Sequence, residues 1–175
     1  MPPDVEPPLV LTLGLDEAHA AFFNELRRTH FPPARNHLPA HLTLFHQLPG
    51  AVSKGIEKRL AELSRATPPF ELWVSGLRFL GRGVAYTVTC PELVAFRQRL
   101  AAAWDPWLSA QDRHGLQPHI TIQNKVAPAV AQALWQRLRE EFSPFQMRGE
   151  HLLLWRYLGG PWESIAALPL SGPGR

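Results

Sequence analysis

Apolar positions along the chain fall into short runs that switch between a period of two and a period near 3.6. Leu9-Val10-Leu11-Thr12-Leu13-Gly14-Leu15 reads as a buried strand ended by turn chemistry. Asp16 is placed to cap a helix running to about Thr29, with Ala18, Phe22 and Leu26 on one face. Three prolines make Phe31 to Ala40 a loop. A strand then ends at Leu48-Pro49-Gly50, and Ile56, Leu60 and Leu63 mark a helix from Ser53 to Arg65. Phe70–Leu80 and Val84–Thr89 read as strands joined by the turn Gly81-Arg82-Gly83.

Thr89-Cys90-Pro91-Glu92 has a capping-box pattern, opening a helix that carries Leu93, Phe96, Leu100 and Trp104. After a loop from Ala110 to Pro118 and a further strand, Pro128 starts a helix through Phe142, with Val130, Leu134 and Leu138 on one face. Phe145–Leu158 and Trp162–Leu168 read as two closing strands. The Pro-rich start, Met1–Pro8, is expected to fray, and Ser171–Arg175 to be a disordered tail.

Two of these strands share a tetrapeptide: His41-Leu42-Thr43-Leu44 and His119-Ile120-Thr121-Ile122. With eight His and seven Thr in 175 residues, chance gives about 0.3 His-x-Thr triplets, so two are unusual. The 78-residue offset between them extends outward to Arg35/Arg113, Leu38/Leu116, Ala51/Ala129, Val52/Val130 and Leu60/Leu138, and to Val10/Val88 upstream. It also lays the helix of Phe22 and Leu26 on that of Leu100 and Trp104. The unit strand, helix, Arg-containing loop, His-x-Thr strand, helix, strand therefore occurs twice. One duplicated domain results, with lobes from about 9–80 and 84–168.

Composition changes this picture little. Apolar content of 45% and charged content of 19% suit a folded chain of one domain. A net charge of +3, carried mostly by Arg, leans toward an anionic ligand without the dense basic runs of a duplex binder. The single cysteine, Cys90, leaves no intrachain disulfide to form, and no stretch is long and apolar enough to cross a bilayer. No signal-peptide pattern is present, so the expected location is cytoplasmic, with no membrane association and no obligate protein partner.

On a strand, residues i, i+2 and i+4 share a face. His41, Thr43 and Phe45 therefore point one way, as do His119, Thr121, Gln123 and Lys125, with the aliphatic residues packing opposite. Two lobes meeting across a cleft would bring together two imidazoles and two hydroxyls. One neutral and one protonated histidine can exchange protons with water and a leaving oxygen, and hydroxyls can hold phosphate oxygens. The set suits phosphoryl chemistry.

These residues resemble the 2H phosphoesterases, a family defined by two His-x-Thr/Ser motifs that includes 2′,5′-RNA ligase-like proteins and RNA 2′,3′-cyclic phosphodiesterases. The resemblance covers both motifs, their spacing and the element order. It implies an α+β bilobed fold, with two pseudo-twofold-related antiparallel sheets flanked by helices and a central cleft, and no metal or other cofactor. It further implies that His41 is the general acid, His119 the general base, and Thr43 and Thr121 phosphate-binding residues. From the residues alone the two histidines are interchangeable. The implied activity is hydrolysis of RNA or nucleoside 2′,3′-cyclic phosphates to 2′-phosphates. Alternatives are another 2H substrate (a cyclic nucleotide-sugar phosphate, a trimmed RNA end, 2′–5′ ligation) or an RNA-binding module without turnover.

Other candidates stand beside blander readings. Gln123 and Lys125 are substrate contacts or solvated strand-end residues, and Arg35 and Arg113 gather phosphate or are exposed loop arginines. His46 lies on the other strand face, and Pro39 breaks any spacing that would join His37, His41 and His46 into a metal site. Trp155 and Tyr157 are read first as core aromatics and second as surfaces able to stack a base.

Overall fold

The computed structural model describes residues 5–174; Met1–Asp4 and Arg175 lie outside the described residues, and with them the outermost part of the two expected loose ends. The elements are β1 (Leu9–Leu15), α1 (Glu17–His30), β2 (Leu42–Leu48), α2 (Ser53–Ala66), β3 (Phe70–Phe79), β4 (Val84–Thr89), α3 (Pro91–Ala103), α4 (Ala110–Arg113), β5 (His119–Gln123), α5 (Pro128–Glu141), β6 (Phe145–Tyr157) and β7 (Trp162–Pro169). Short 3₁₀ turns sit at Pro33–Arg35, Gly50–Val52 and Asp105–Trp107.

The architecture is α+β, as the resemblance implies, and every strand pairing among the described residues is antiparallel. The two expected sheets are joined into one seven-stranded sheet of order β2-β1-β6-β3-β4-β5, with β7 beside β6. The long strand β6 makes the join. Its first residues, Phe145–Gly149, pair with β3, and Gly149–Arg156 pair with β1 on the opposite edge. Gly149 is where β6 changes partner, and a Cβ there would lie 2.5 Å from Leu13 Cδ2, closer than a side chain permits. Each half of the sheet thus takes strands from both repeats: β2, β1, β7 and the end of β6 in one, β5, β4, β3 and the start of β6 in the other.

The helices are exchanged as well. Helix α1 follows β1 but packs on the β4–β5 half, where Phe23 meets Tyr86 with ring centroids 5.3 Å apart. Helix α3 follows β4 yet brings Trp104 to within 5.3 Å of Phe45 on β2. The exchange rotates α1 from the face its periodicity suggests: Phe23 and Arg27 are buried, while Phe22 is 44% exposed. Similarly α5 buries Ala131 and Leu134 and leaves Val130 outside. With β2 and β5, the two ends of the sheet, brought alongside one another, the sheet curls and its motif strands meet.

Local chemistry explains most element boundaries. The Asp16 carboxylate accepts from His19 N at 3.0 Å, capping α1, and from Arg148 N at 2.8 Å, tying the helix start to β6. The capping box expected at Thr89 does not form. Cys90 is the N-cap without a side-chain bond, Pro91 opens the helix, and the Thr89 hydroxyl donates to Ser75 Oγ on β3 instead. Ser171–Gly174 is also not a loose tail: Ser171 N donates to Ser64 O and Gly172 N to Thr67 O, holding it on the end of α2.

Candidate active site

His41 stands immediately before β2, and His119 opens β5. Each ring is held alike. His41 Nδ1 lies 2.8 Å from Pro39 O, and His119 Nδ1 lies 2.9 Å from Gln117 O. A carbonyl only accepts, so Nδ1 carries the hydrogen in both rings. Nε2 is then the nitrogen left to take up or give a proton, and the same local geometry arises at both motifs. The His41 pKa is lowered to about 4, chiefly by burial and in smaller part by the charges of Arg27, His119 and His46, against the Pro39 bond that raises it. The strands that carry the two motifs, β2 and β5, lie beside one another.

Thr43 and Thr121 stand partly exposed on the same faces as the histidines, paired with Thr12 and Ala85 respectively. Beyond them the simple alternation fails. The β1–β2 register skips Leu44 between the pairs Leu11↔Phe45 and Thr12↔Thr43, and the β4–β5 register skips Ile122 between Val84↔Gln123 and Ala85↔Thr121. Both motif strands carry a bulge at the equivalent place, and a bulge resets which face the following residue takes.

Phe45, expected in the cleft, is therefore wholly buried against Trp104. Gln123, its counterpart, is 3% exposed, with Oε1 lacking a protein partner among the described residues. Lys125 lies past the strand in a turn, with φ 64°, rather than on its face. Arg35 is exposed on the turn before β2, and Arg113 is bound at 2.7 Å to Asp105 and at 2.8 Å to its carbonyl. Neither is brought to the histidines by any contact among the described residues.

Two other arginines bond the backbone of the motif strands themselves. Arg27 of α1, 5% exposed, donates from Nη1 to Thr121 O at 2.8 Å and from Nε to Asn36 Oδ1 at 3.2 Å. Arg97 of α3, 4% exposed, donates from Nε to Leu44 O at 3.1 Å and from Nη2 to Asp112 O at 2.7 Å. Each guanidinium stacks 4.2 Å from an aromatic centroid, Phe31 for Arg27 and Phe45 for Arg97. They form a reciprocal clamp: the helix of each repeat grips the backbone of the other repeat's motif strand. Sequence reasoning missed them because Arg27 and Arg97 are 70 positions apart, whereas the motifs repeat at an offset of 78. The segment between α3 and β5, which holds α4, is longer than its counterpart and shifts the register upstream.

Asp112, also missed, is 1% exposed and accepts from His46 N at 2.9 Å, Gln47 N at 2.8 Å and His46 Nδ1 at 3.2 Å. It anchors α4 to the outer edge of β2. Burial raises its pKa, but the bonds from His46 and Gln47 prevail and hold it below the ordinary carboxylate value. A cavity of about 920 Å³ lies elsewhere, between Phe70, Arg99, Arg148 and Pro173. No three His, Cys, Asp or Glu among the described residues are gathered as a metal-ligand set, and no described helix is long and apolar enough to cross a membrane.

The model of the 2′-5′ RNA ligase superfamily matches residues 15–161, which include both motifs and the arginine clamp. The chain belongs to that superfamily. Its members are 2H phosphoesterases, and the chain is an enzyme of that type. No curated protein matches it. Among solved structures, TT0787 of Thermus thermophilus is similar over 95% of this chain and 100% of its own, at 19% identity and TM-score 0.67. E. coli LigT in apo form is similar at 20% identity and TM-score 0.59, covering 95% of this chain and 99% of that one. LigT complexed with 3′-AMP matches at 19% identity, TM-score 0.54 and the same coverage. These likenesses establish the superfamily's fold.

Proposed function

We propose that this 2H phosphoesterase opens nucleoside or RNA 2′,3′-cyclic phosphates to 2′-phosphates without a metal ion. The observation that carries the reading is the matched pair of imidazoles, each with Nδ1 on the carbonyl two residues upstream and Nε2 left for proton transfer. His119 takes a proton from water as its oxygen attacks phosphorus. The P–O3′ bond breaks as His41 Nε2 delivers a proton to O3′. Thr43 and Thr121 donate to the nonbridging oxygens, whose charge grows in the transition state. In the free protein His41 is neutral, with a pKa of about 4. The phosphate anion works against that depression, so substrate binding itself equips His41 to act as an acid.

The test is hydrolysis of 2′,3′-cyclic nucleotides and cyclic-ended RNA with EDTA present. Turnover unaffected by EDTA and lost in His41→Ala and His119→Ala is the expected result. Full activity in either variant, or RNA binding with no turnover in the wild type, would overturn the reading.

A further inference from the structure

The two sides of the cleft are built from different residues, and we propose that the difference is a nucleobase subsite formed by Trp162 and Trp155 on the His41 side. The inference rests on the function proposed above and names the part of the substrate it grips. Residues opposite one another in an antiparallel pair share a face. Thr43 pairs with Thr12, Val10 with Trp155, and Tyr157 with Trp162, so both tryptophans lie on the sheet face of Thr43. The Trp162 ring is 5.1 Å from the His41 ring and 6.0 Å from that of Trp155. Trp155 Nε1 donates to Thr12 Oγ1 at 3.0 Å, which anchors its indole and satisfies its one polar atom. Both rings remain partly exposed, unlike the buried Trp104. They offer angled aromatic surface beside a catalytic nitrogen.

Among the described residues, the His119 side has no such surface next to its histidine. His119 pairs with Thr87, and beyond it Ser75, Thr87 and Thr89 join their hydroxyls at 3.0 to 3.4 Å. Trp73 does lie on this face, 45% exposed, but it pairs with Thr89 two strands from His119.

Reaction geometry says which side the base should occupy. When a 2′,3′-cyclic phosphate opens to a 2′-phosphate, the leaving O3′ stays on the ribose, which carries the base, and water arrives from the opposite side of phosphorus. The nucleoside therefore belongs beside the acid and the water beside the base. An aromatic wall at His41 and a hydroxyl-lined wall at His119 fit that polarity, which the symmetry of the motifs leaves open.

The experiment compares kcat/KM for adenosine 2′,3′-cyclic phosphate with that for 1,4-anhydroerythritol 2,3-cyclic phosphate, which has the same ring without the base. Base stacking on one aromatic predicts a wild-type preference of roughly 10-fold or more for the nucleotide. Trp162→Ala should bring the ratio close to one whatever loss the two substrates share, Trp162→Phe should keep most of it, and Trp73→Ala should leave it intact. An unchanged ratio in Trp162→Ala, a wild-type ratio of one, or loss of the ratio in Trp73→Ala overturns the subsite. Tryptophan fluorescence titrated with adenosine 2′-monophosphate, against inorganic phosphate, separates this from the catalytic reading. Nucleotide affinity that falls in Trp162→Ala supports the subsite even if no cyclic phosphate is turned over, and affinity that is unchanged overturns it.

Discussion

The His41 and His119 sides of the cleft repeat one backbone solution with different surroundings. Both imidazoles bond the carbonyl two residues upstream, both motif strands bulge at the residue after threonine, and each is gripped by a buried arginine from the other repeat. What differs is what covers the ring. His41 sits against Trp162, in reach of Arg27, and its pKa is depressed to about 4. His119 has the hydroxyls of β4 and β3 for neighbours. Backbone geometry orients a histidine; the residues packed around it decide what surface a bound molecule meets there. A duplicated motif can therefore carry two unlike roles without any change in the motif itself.

The sharpest way to break the comparison is to remove each histidine in turn. On the proposed mechanism His41→Ala and His119→Ala should each lower kcat by about 10²–10⁴, with circular dichroism unchanged, because each removes one of its two proton transfers. An effect confined to one of them would mean that the two sides do not act as a pair.

The next largest effect is on stability and pH. The His41 pKa is about 4 folded, against about 6.5 unfolded, so between those values the unfolded chain binds more protons. Stability from this group is complete above about pH 6.5 and is lost as pH falls through 4, by up to about 3 kcal/mol. Urea denaturation of wild type and His41→Gln across that range should show a slope that the variant lacks. In kinetics the His41 limb should appear near pH 4 in kcat/KM and move upward in kcat, where bound phosphate favours the imidazolium. Limbs that coincide would count against phosphate bound beside His41.

The clamp gives a smaller, diagnostic effect. Arg27→Gln and Arg97→Gln should each cost about 2 kcal/mol in urea denaturation, since each leaves a motif-strand carbonyl without its donor. Only Arg27→Gln should also raise the low-pH limb of kcat/KM, because Arg27 and not Arg97 depresses His41. Equal shifts in both variants would show that the arginines act through shared packing alone. Smallest of all, Thr12→Val removes the partner of Trp155 Nε1 and should cost about 1 kcal/mol, read from the same denaturation curves.

Much of the fold was legible from the chain. The strand limits at Leu9–Leu15, Val84–Thr89 and Phe145–Tyr157 follow from apolar runs and turn residues, and Pro128 marks the start of α5. The two motifs were legible for the same reason: they are local, a few residues each, repeated at one spacing. Phe45, Gln123 and Lys125 were misplaced because alternation assumes an unbroken strand, and the bulges at Leu44 and Ile122 come from pairing with β1 and β4. Arg27, Arg97 and Asp112 were not legible because each bonds a backbone group far along the chain, and nothing in a helical arginine's neighbours announces that.

Period, caps and punctuation are written within a few residues of where they act, so element order, the duplication and the chemical identity of the His-x-Thr pair belong to the amino-acid order alone. Which helix covers which half, which motif residue turns inward and which histidine packs against a tryptophan depend on contacts between segments far apart in the chain, such as that between Thr12 and Trp155, 143 positions apart. Those contacts form only when β6 bridges the two halves and the sheet curls to bring β2 beside β5. The asymmetry that gives one imidazole an aromatic wall and the other a hydroxyl wall is made there, by packing.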